Sequence, residues 1–325
     1  MIRIGILGAA KIAPPALIAP ARKRDDCAVV CVAARDGERA SAYAAEHDIP
    51  ESLGSYDALI AHPGIDLIYN ALPPHLHARL TIAALEAGKA VLCEKPFAVN
   101  AREASAMVEA SARTGRPLVE AFHYRFHPLF ENILDTVRSG AIGKLCAIKS
   151  EFSVAIKYRP GELRHDTALG GGALMDLGCY ALHWARTIAG SEPVVTRAAS
   201  ELSEHGVDLV TTADLTFAGG VTAQVRTSMA PGQKFKALLA IKGTNGLLVA
   251  QNPLHPHRGH SITIRKDGQA DRYTVPGETT YDHQLARMLD VMKTNAPPLT
   301  GGADAVANMA LIDAVYAAAG VSRPA

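Results

Sequence analysis

Between residues 3 and 122 the chain repeats one pattern, a short apolar run followed by a longer segment with helical spacing of its apolar side chains. The runs cover residues 3–7, 28–33, 67–71, 90–93 and 118–122. Apolar runs this short, alternating with helices, suit a parallel sheet covered on both faces by crossover helices. Helix ends are marked as well. One helix is predicted from about Pro74 to Leu85, stopping at Gly88. Another opens at Asn100, with Glu103 placed for a capping box, and ends near Gly115 and Pro117. After Phe122 the texture changes. A short helix follows His127-Pro128 and ends at Gly140, and alternating segments then cover 145–156, 209–217, 221–228, 236–241 and 261–264. Gly219-Gly220 and Asn245-Gly246 mark tight turns between them. This predicts a large, open, mostly antiparallel sheet, interrupted by a helix near 173–188 and closed by helices near 281–293 and 303–319. The expectation is an α/β domain over residues 1–122 and an α+β domain over 123–325, with the final helix in a position to pack back on the first domain.

Composition removes several classes of function. The chain has 33 basic and 32 acidic residues, a formal net charge of +1, which argues against a nucleic-acid footprint. No apolar stretch approaches the roughly 20 residues of a membrane span, and the opening residues lack the pattern of a secretory signal. Cys27, Cys31, Cys93, Cys146 and Cys179 are odd in number and contain no Cys-x-x-Cys. That suits buried thiols in a reducing cytoplasm.

The first strand runs into Gly8-Ala9-Ala10-Lys11-Ile12-Ala13. A strand, a glycine-led turn and a helix make a dinucleotide-binding signal of the form G-x-G-x-x-A. Gly8 suits the tight turn and Ala13 the close helix–strand contact, while Ala10 replaces the second glycine and holds a pyrophosphate slightly farther from the backbone. Lys11 and Ile12 complete the phosphate turn. The second strand ends in Ala33-Ala34-Arg35-Asp36. Where an NAD enzyme carries an acid for the ribose 2′-hydroxyl, this chain has Ala34, with Arg35 next. A guanidinium here suits a 2′-phosphate, so NADP is preferred and NAD remains possible. Asp36 reads either as that acid or as a helix N-cap. After the run at 67–71, Leu72 and Pro73 begin a loop expected over the cofactor, and His77 reads as a helix-start residue packed beneath it. His75-x-His77 lacks the thiols or carboxylates of a metal site, so no metal is expected.

Two further stretches carry chemistry. Val91-Leu92-Cys93-Glu94-Lys95-Pro96-Phe97 is an apolar strand ending in a carboxylate, an amine and a proline. A lysine at the carboxyl edge of a parallel sheet, partly desolvated and aimed by Pro96, suits proton transfer; the plainer reading is a solvated lysine at a strand end. Gly170-Gly171-Gly172 leads into Ala173-Leu174-Met175-Asp176-Leu177-Gly178-Cys179-Tyr180-Ala181-Leu182-His183. Three glycines permit close approach of backbone to a ligand. A regular helix puts Asp176, Tyr180 and His183 on one face. Trp184 reads as packing or as a cleft wall, and His255-Pro256-His257-Arg258-Gly259-His260 as an exposed connection between strands.

With Gly8–Ala13, Glu94-Lys95-Pro96, the segment 121–128 and Gly170–Tyr180 together, the chain resembles the glucose–fructose oxidoreductase, inositol dehydrogenase and MocA (Gfo/Idh/MocA) family over essentially its whole length. The resemblance implies a Rossmann dinucleotide-binding domain followed by an α+β domain whose open sheet joins copies into a homodimer or homotetramer. Many relatives carry Asp and His four apart on the catalytic helix. Here Asp176 is kept and Tyr180 stands at the His position, as in the branch of glucose–fructose oxidoreductase, sugar dehydrogenases and dihydrodiol dehydrogenases. By the same resemblance Lys95, Tyr180 and Asp176 are catalytic, Arg164 and His183 belong to the substrate side, and Glu94 and Arg125 to the cofactor side.

The expected function is hydride transfer between a nicotinamide cofactor and a sugar, polyol or keto-sugar, in a cleft drawing residues from both domains. An NADPH-dependent carbonyl reductase or a trans-dihydrodiol dehydrogenase uses the same residues. The contrasting class, a nucleotide-binding redox sensor, has no need to retain Lys95, Asp176 and Tyr180 together. No nucleic-acid or membrane partner is expected.

Overall fold

The computed structural model describes residues 1–323. The chain divides into two compact units. The first comprises Met1–His123 and Tyr281–Val306, and the second comprises Tyr124–Thr280 and the residues from Ala307 onward. The later segment that joins the first unit therefore begins with the penultimate helix.

In the first unit, β1 (Ile2–Leu7), β2 (Cys27–Ala33), β3 (Glu51–Leu53), β4 (Leu67–Asn70), β5 (Ala90–Cys93) and β6 (Leu118–Glu120) form one sheet in the order β3-β2-β1-β4-β5-β6. Every pair in it is parallel. β4 and β5 are buried along their whole length, which is why they read as unbroken apolar runs. The helices are α1 (Ala19–Arg22), α2 (Gly37–Glu46), α3 (Tyr56–Ala61), α4 (His77–Glu86) and α5 (Ala101–Thr114). Asn100 caps α5 as expected, its side chain accepting the Glu103 N–H at 2.9 Å. Winding runs outward in both directions from the β1–β4 pair. The topological switch point, where open sheets of this kind bind ligands, therefore lies beside the carboxyl ends of β1 and β4.

The second unit opens with α6 (Pro128–Arg138) and contains α7 (Cys179–Ala189). Its strands are β7 (Leu145–Ser153), β8 (Val194–Leu202), β9 (Asp208–Thr216), β10 (Thr222–Ser228), β11 (Lys236–Gly243), β12 (Gly246–Gln251), β13 (Ser261–Lys266) and β14 (Gln269–Tyr273). They form a sheet in the order β14-β13-β12-β11-β7-β10-β9-β8. β7 and β10 pair in parallel, while every other neighbouring pair is antiparallel. α7 covers one face, where Ser150 Oγ on β7 donates to Ala181 O at 2.9 Å and Thr227 Oγ1 on β10 donates to Ala173 O at 3.1 Å. α8 (Thr280–Thr294) and α9 (Gly302–Ala318) follow.

Candidate active site

In the first unit, β1 ends at Leu7 and the chain turns at Gly8 with φ +100°, a conformation that favours glycine. A Cβ at Gly8 would also lie 2.9 Å from Leu72 Cδ2, so the turn and the loop after β4 pack directly together. Ala13 is fully buried, as the fingerprint requires. Ala10 and Ile12 are half-buried and Lys11 is exposed. The next segment begins as a π turn, Pro14–Ile18, and only then becomes α1. Two residues outside the expected set fasten the turn from α2. Arg39 Nη2 donates to Ala9 O at 3.0 Å and Tyr43 Oη donates to Ala10 O at 2.9 Å. Burial, and to a smaller degree Glu46, pushes the Tyr43 phenol up to about 12, so it stays a donor. At the end of β2, Ala34 is buried and Arg35 exposed. Asp36 acts as the N-cap of α2, accepting the N–H groups of Glu38 at 2.9 Å and Arg39 at 3.4 Å.

Leu72 and Pro73 follow β4, and the Leu72 N–H donates to Asn70 Oδ1 at 3.4 Å. His77, the first residue of α4, is completely buried. Its Nε2 lies 2.7 Å from Leu72 O, and its Nδ1 lies 3.0 Å from Pro96 O and 3.3 Å from Phe97 O. One imidazole thus ties the loop after β4 to the loop after β5. Burial holds the His77 pKa down at about 4, outweighing the upward pull of the three carbonyls. Glu94 and Lys95 emerge half-buried at the carboxyl end of β5. Tyr69 Oη donates to Glu94 Oε1 at 2.5 Å, and Glu94 Oε2 accepts the Lys95 N–H at 3.2 Å. The glutamate is thereby fixed in place beside the lysine.

In the second unit, the glycine run is shaped by the chain's own atoms. Gly172 has φ +121°, and a Cβ there would fall 2.2 Å from Asp208 Oδ1 and 2.8 Å from Tyr316 Oη. A Cβ at Gly171 would fall 2.7 Å from each of three backbone carbonyls, those of Leu163, Arg164 and Asp166. Asp208, 2 % exposed, is the anchor behind this segment. It accepts the Leu174 N–H at 2.7 Å, the Thr211 hydroxyl at 2.8 Å and the Tyr316 phenol at 2.7 Å. Burial raises the Asp208 carboxyl above its ordinary range, and burial with the facing carboxylate raises Tyr316 well above its own.

A second π turn, Leu174–Gly178, carries Asp176, and α7 begins only at Cys179. The extra residue in that turn displaces Asp176 from the register a regular helix would give it. Asp176 and His183 each have a named partner. Asp176 Oδ2 accepts from Arg164 Nε at 2.8 Å, while Arg164 Nη1 donates to Glu162 Oε1 at 3.0 Å. His183, 1 % exposed, hydrogen-bonds through Nδ1 to the Tyr124 hydroxyl. Tyr180 lies in the first turn of α7 among aromatic rings, with centroids 6.0 Å from Tyr124 and 5.7 Å from Phe152. Trp184 is fully buried, edge-on to Tyr124 at 5.8 Å, so it is a packing residue. Arg125 is 7 % exposed, ion-paired with Glu131 and stacked 5.5 Å from the Phe130 ring centroid. The histidine tract is fastened rather than loose. His260 Nδ1 lies 2.9 Å from Pro256 O, and its Nε2 accepts the Val275 N–H at 2.9 Å.

Comparison with known proteins agrees with this architecture. Residues 2–122 match the oxidoreductase family, NAD-binding Rossmann fold (GFO_IDH_MocA), and residues 130–249 match the GFO/IDH/MocA C-terminal domain. The chain is 34% identical over 319 residues to D-xylose 1-dehydrogenase (NADP(+)) 2 of Haloferax volcanii, covering 97% of this chain and 96% of that protein. It is 30% identical over 311 residues to the trans-1,2-dihydrobenzene-1,2-diol dehydrogenase of Xenopus tropicalis, covering 92% of each. Among solved structures, the aldose-aldose oxidoreductase of Caulobacter crescentus complexed with glycerol superposes with a TM-score of 0.89 at 26% identity, covering 98% of this chain and 97% of the other. The chain is therefore a member of the Gfo/Idh/MocA family, an NAD(P)-dependent oxidoreductase with an amino-terminal Rossmann fold.

Proposed function

We propose that this oxidoreductase interconverts the carbinol and carbonyl forms of a sugar or polyol with NADP as the preferred cofactor. The observation that carries the reading is Lys95 at the carboxyl end of β5, beside a glutamate held by Tyr69, in the sheet whose switch point adjoins the Gly8 turn. The D-xylose dehydrogenase and the aldose-aldose oxidoreductase similar to this chain support a sugar substrate.

Gly8, Ala10, Lys11, Ile12, Leu72 and Pro73 form the cradle for the dinucleotide, with His77 bracing it from below. The cofactor supplies the hydride chemistry, and the protein binds, orients and moves the proton. Tyr180 takes or returns the proton of the reacting hydroxyl. Lys95 binds the same oxygen, steadied by Glu94. Asp176 accepts a hydrogen bond from a neighbouring substrate hydroxyl and so fixes which carbon faces the cofactor. NADP is preferred because Asp36 is engaged as an N-cap, while exposed Arg35, next to buried Ala34, leaves a guanidinium for the 2′-phosphate. Arg39 adds a second cation on the same side of the turn.

The trans-dihydrodiol dehydrogenase similar to this chain favours a second reading, oxidation of a cyclic diol by the same residues. We further propose that the enzyme is cytoplasmic and forms a homodimer or homotetramer through the open face of the eight-stranded sheet, where Ala147, Ala240 and Leu247 line a shallow depression. Sedimentation velocity tests the assembly.

The catalytic reading is tested by following nicotinamide reduction with NADP and a panel of aldoses, polyols and cyclic diols. Tyr180→Phe and Lys95→Ala are each expected to lower turnover by about 10²–10⁴-fold, the range for lost acid–base help. Near-normal rates in both variants overturn the assignment. Tight cofactor binding without turnover of any substrate favours a sensor.

A further inference from the structure

Arg164 holds two carboxylates at once. Its Nε is 2.8 Å from Asp176 Oδ2 and its Nη1 is 3.0 Å from Glu162 Oε1. The Arg164, Asp176 and Glu162 side chains are 36%, 14% and 25% exposed, so the outer members meet water and the inner one largely does not. The loop bearing Arg164 is itself tied to the glycine run. The Gly172 N–H donates to Arg164 O at 2.9 Å, and the Gly171 N–H donates to Asp166 O at 2.8 Å. His165, next along, lies 2.8 Å from Ile156 O through Nε2. The backbone that carries the guanidinium is therefore held beside the segment that carries Asp176.

A cation flanked by two carboxylates has most of its field cancelled. It still fixes the inner carboxylate, whose remaining lone pairs can accept from neutral hydroxyls. For an incoming carboxylate or phosphate the same arrangement is unfavourable, because the attraction of the guanidinium is offset by Asp176 on one side and Glu162 on the other. Lys157 and Arg159 lie on the same loop, but both are exposed. Their charge is screened by salt, and they act on encounter more than on the bound complex.

We propose that Glu162, Arg164 and Asp176 form a charge filter that admits uncharged sugars and polyols and rejects sugars bearing a carboxylate or phosphate. In it Arg164 is a positioning residue for Asp176, and Glu162 is the specificity-determining residue that cancels the rest of the guanidinium's pull. The filter rests on the sugar-oxidoreductase reading above.

The test measures kcat/KM of the full chain with NADP at about 0.15 M salt for xylose and for two matched pairs, glucose with glucuronate and galactose with galacturonate. In the unaltered protein each uronate is expected at least about tenfold below its neutral partner. Glu162→Gln is expected to raise the uronate-to-aldose ratio about tenfold, and Glu162→Asp, which keeps the charge, to leave the ratio low. Arg164→Gln is expected to lower kcat on the neutral sugar about tenfold or more while the NADP affinity, read by fluorescence titration, stays put. Arg164→Lys restores part of kcat, since an ammonium bridges the two carboxylates as a point charge only. Uronates and aldoses used alike by the unaltered protein, or a ratio unmoved by Glu162→Gln, overturn the filter and leave the oxidoreductase reading standing. Failure to oxidise any sugar overturns that reading, and the filter with it.

Discussion

Both ring nitrogens of His77 face carbonyl oxygens, Leu72 O at 2.7 Å on one side and Pro96 O at 3.0 Å on the other. A neutral imidazole has one N–H, so one of those carbonyls always meets a lone pair. The imidazolium would satisfy both, yet complete burial keeps the ring neutral down to about pH 4. The folded-state value thus lies below the ordinary value of 6.5. The unfolded chain takes up this proton first, so the stabilisation from a neutral His77 is complete above about pH 6.5 and is lost as pH falls through the folded-state value. Integrated over that window, the loss approaches about 3 kcal/mol. Urea denaturation at a series of pH values is expected to give a shallower acid limb for His77→Gln than for the unaltered protein; parallel limbs would remove His77 from this role. The sequence pointed to His77 by its place at a helix start, and to Gly8, Glu94 and Lys95 by local pattern. Arg39, Tyr43 and Glu162 escaped notice because their meaning lies in partners reached through space. Tyr43 meets a carbonyl 33 residues away, and Glu162 gains its significance from Arg164 through the more distant Asp176.

At the scale of elements, the buried strands were legible and the thin or exposed ones were not. β4 and β5 are buried throughout and stand out as apolar runs. β3 is only three residues long and partly exposed, while β8 and β14 are edge strands with mostly exposed side chains and little alternation of buried apolar positions, so they give only a faint strand pattern. The short β3 also makes the run at 67–71 the fourth strand of its sheet rather than the third. Neither π turn was visible, since a single extra residue in a helical turn leaves no periodic signature. Both occur where a candidate functional segment enters a helix, after the Gly8 turn and around Asp176. The second is fastened from outside its own sequence, by Asp208 on β9 and Tyr316 on α9. Removing the phenol in Tyr316→Phe is expected to cost about 1.5–3 kcal/mol, the range for a hydrogen bond to a charged group. It should lower kcat by loosening the segment around Asp176 while cofactor affinity, a property of the first unit, is kept. Thermal denaturation combined with a cofactor titration checks this, and an unchanged melting temperature would count against it.

For the whole molecule, the division into a parallel and a mostly antiparallel sheet was legible from the change in texture after Phe122. A return of the chain to the first unit was expected of the final helix, whereas Tyr281–Val306 makes it, because that choice depends on contacts between segments far apart in the chain. One such contact joins Thr300 to the end of β6, where Thr300 O accepts the Glu120 N–H at 3.1 Å and Thr300 Oγ1 donates to Glu120 O at 2.7 Å. Cofactor binding to the folded state alone stabilises it by mass action, about 2.7 kcal/mol when the ligand is at a hundred times its Kd. NADP is therefore expected to raise the melting temperature more than an equal concentration of NAD, and Arg35→Ala to erase most of that difference; equal shifts in the unaltered protein would argue against the cofactor preference. The Tyr316–Asp208 bond has a consequence for biosynthesis. Translation delivers the glycine run and Asp176 long before residue 316, so a growing polypeptide holds that segment without the clasp that steadies it. A chain stopped short of that tyrosine, by a premature codon or a protease, keeps Asp208 but lacks the phenol that bonds it, and is expected to carry the segment around Asp176 in loosened form.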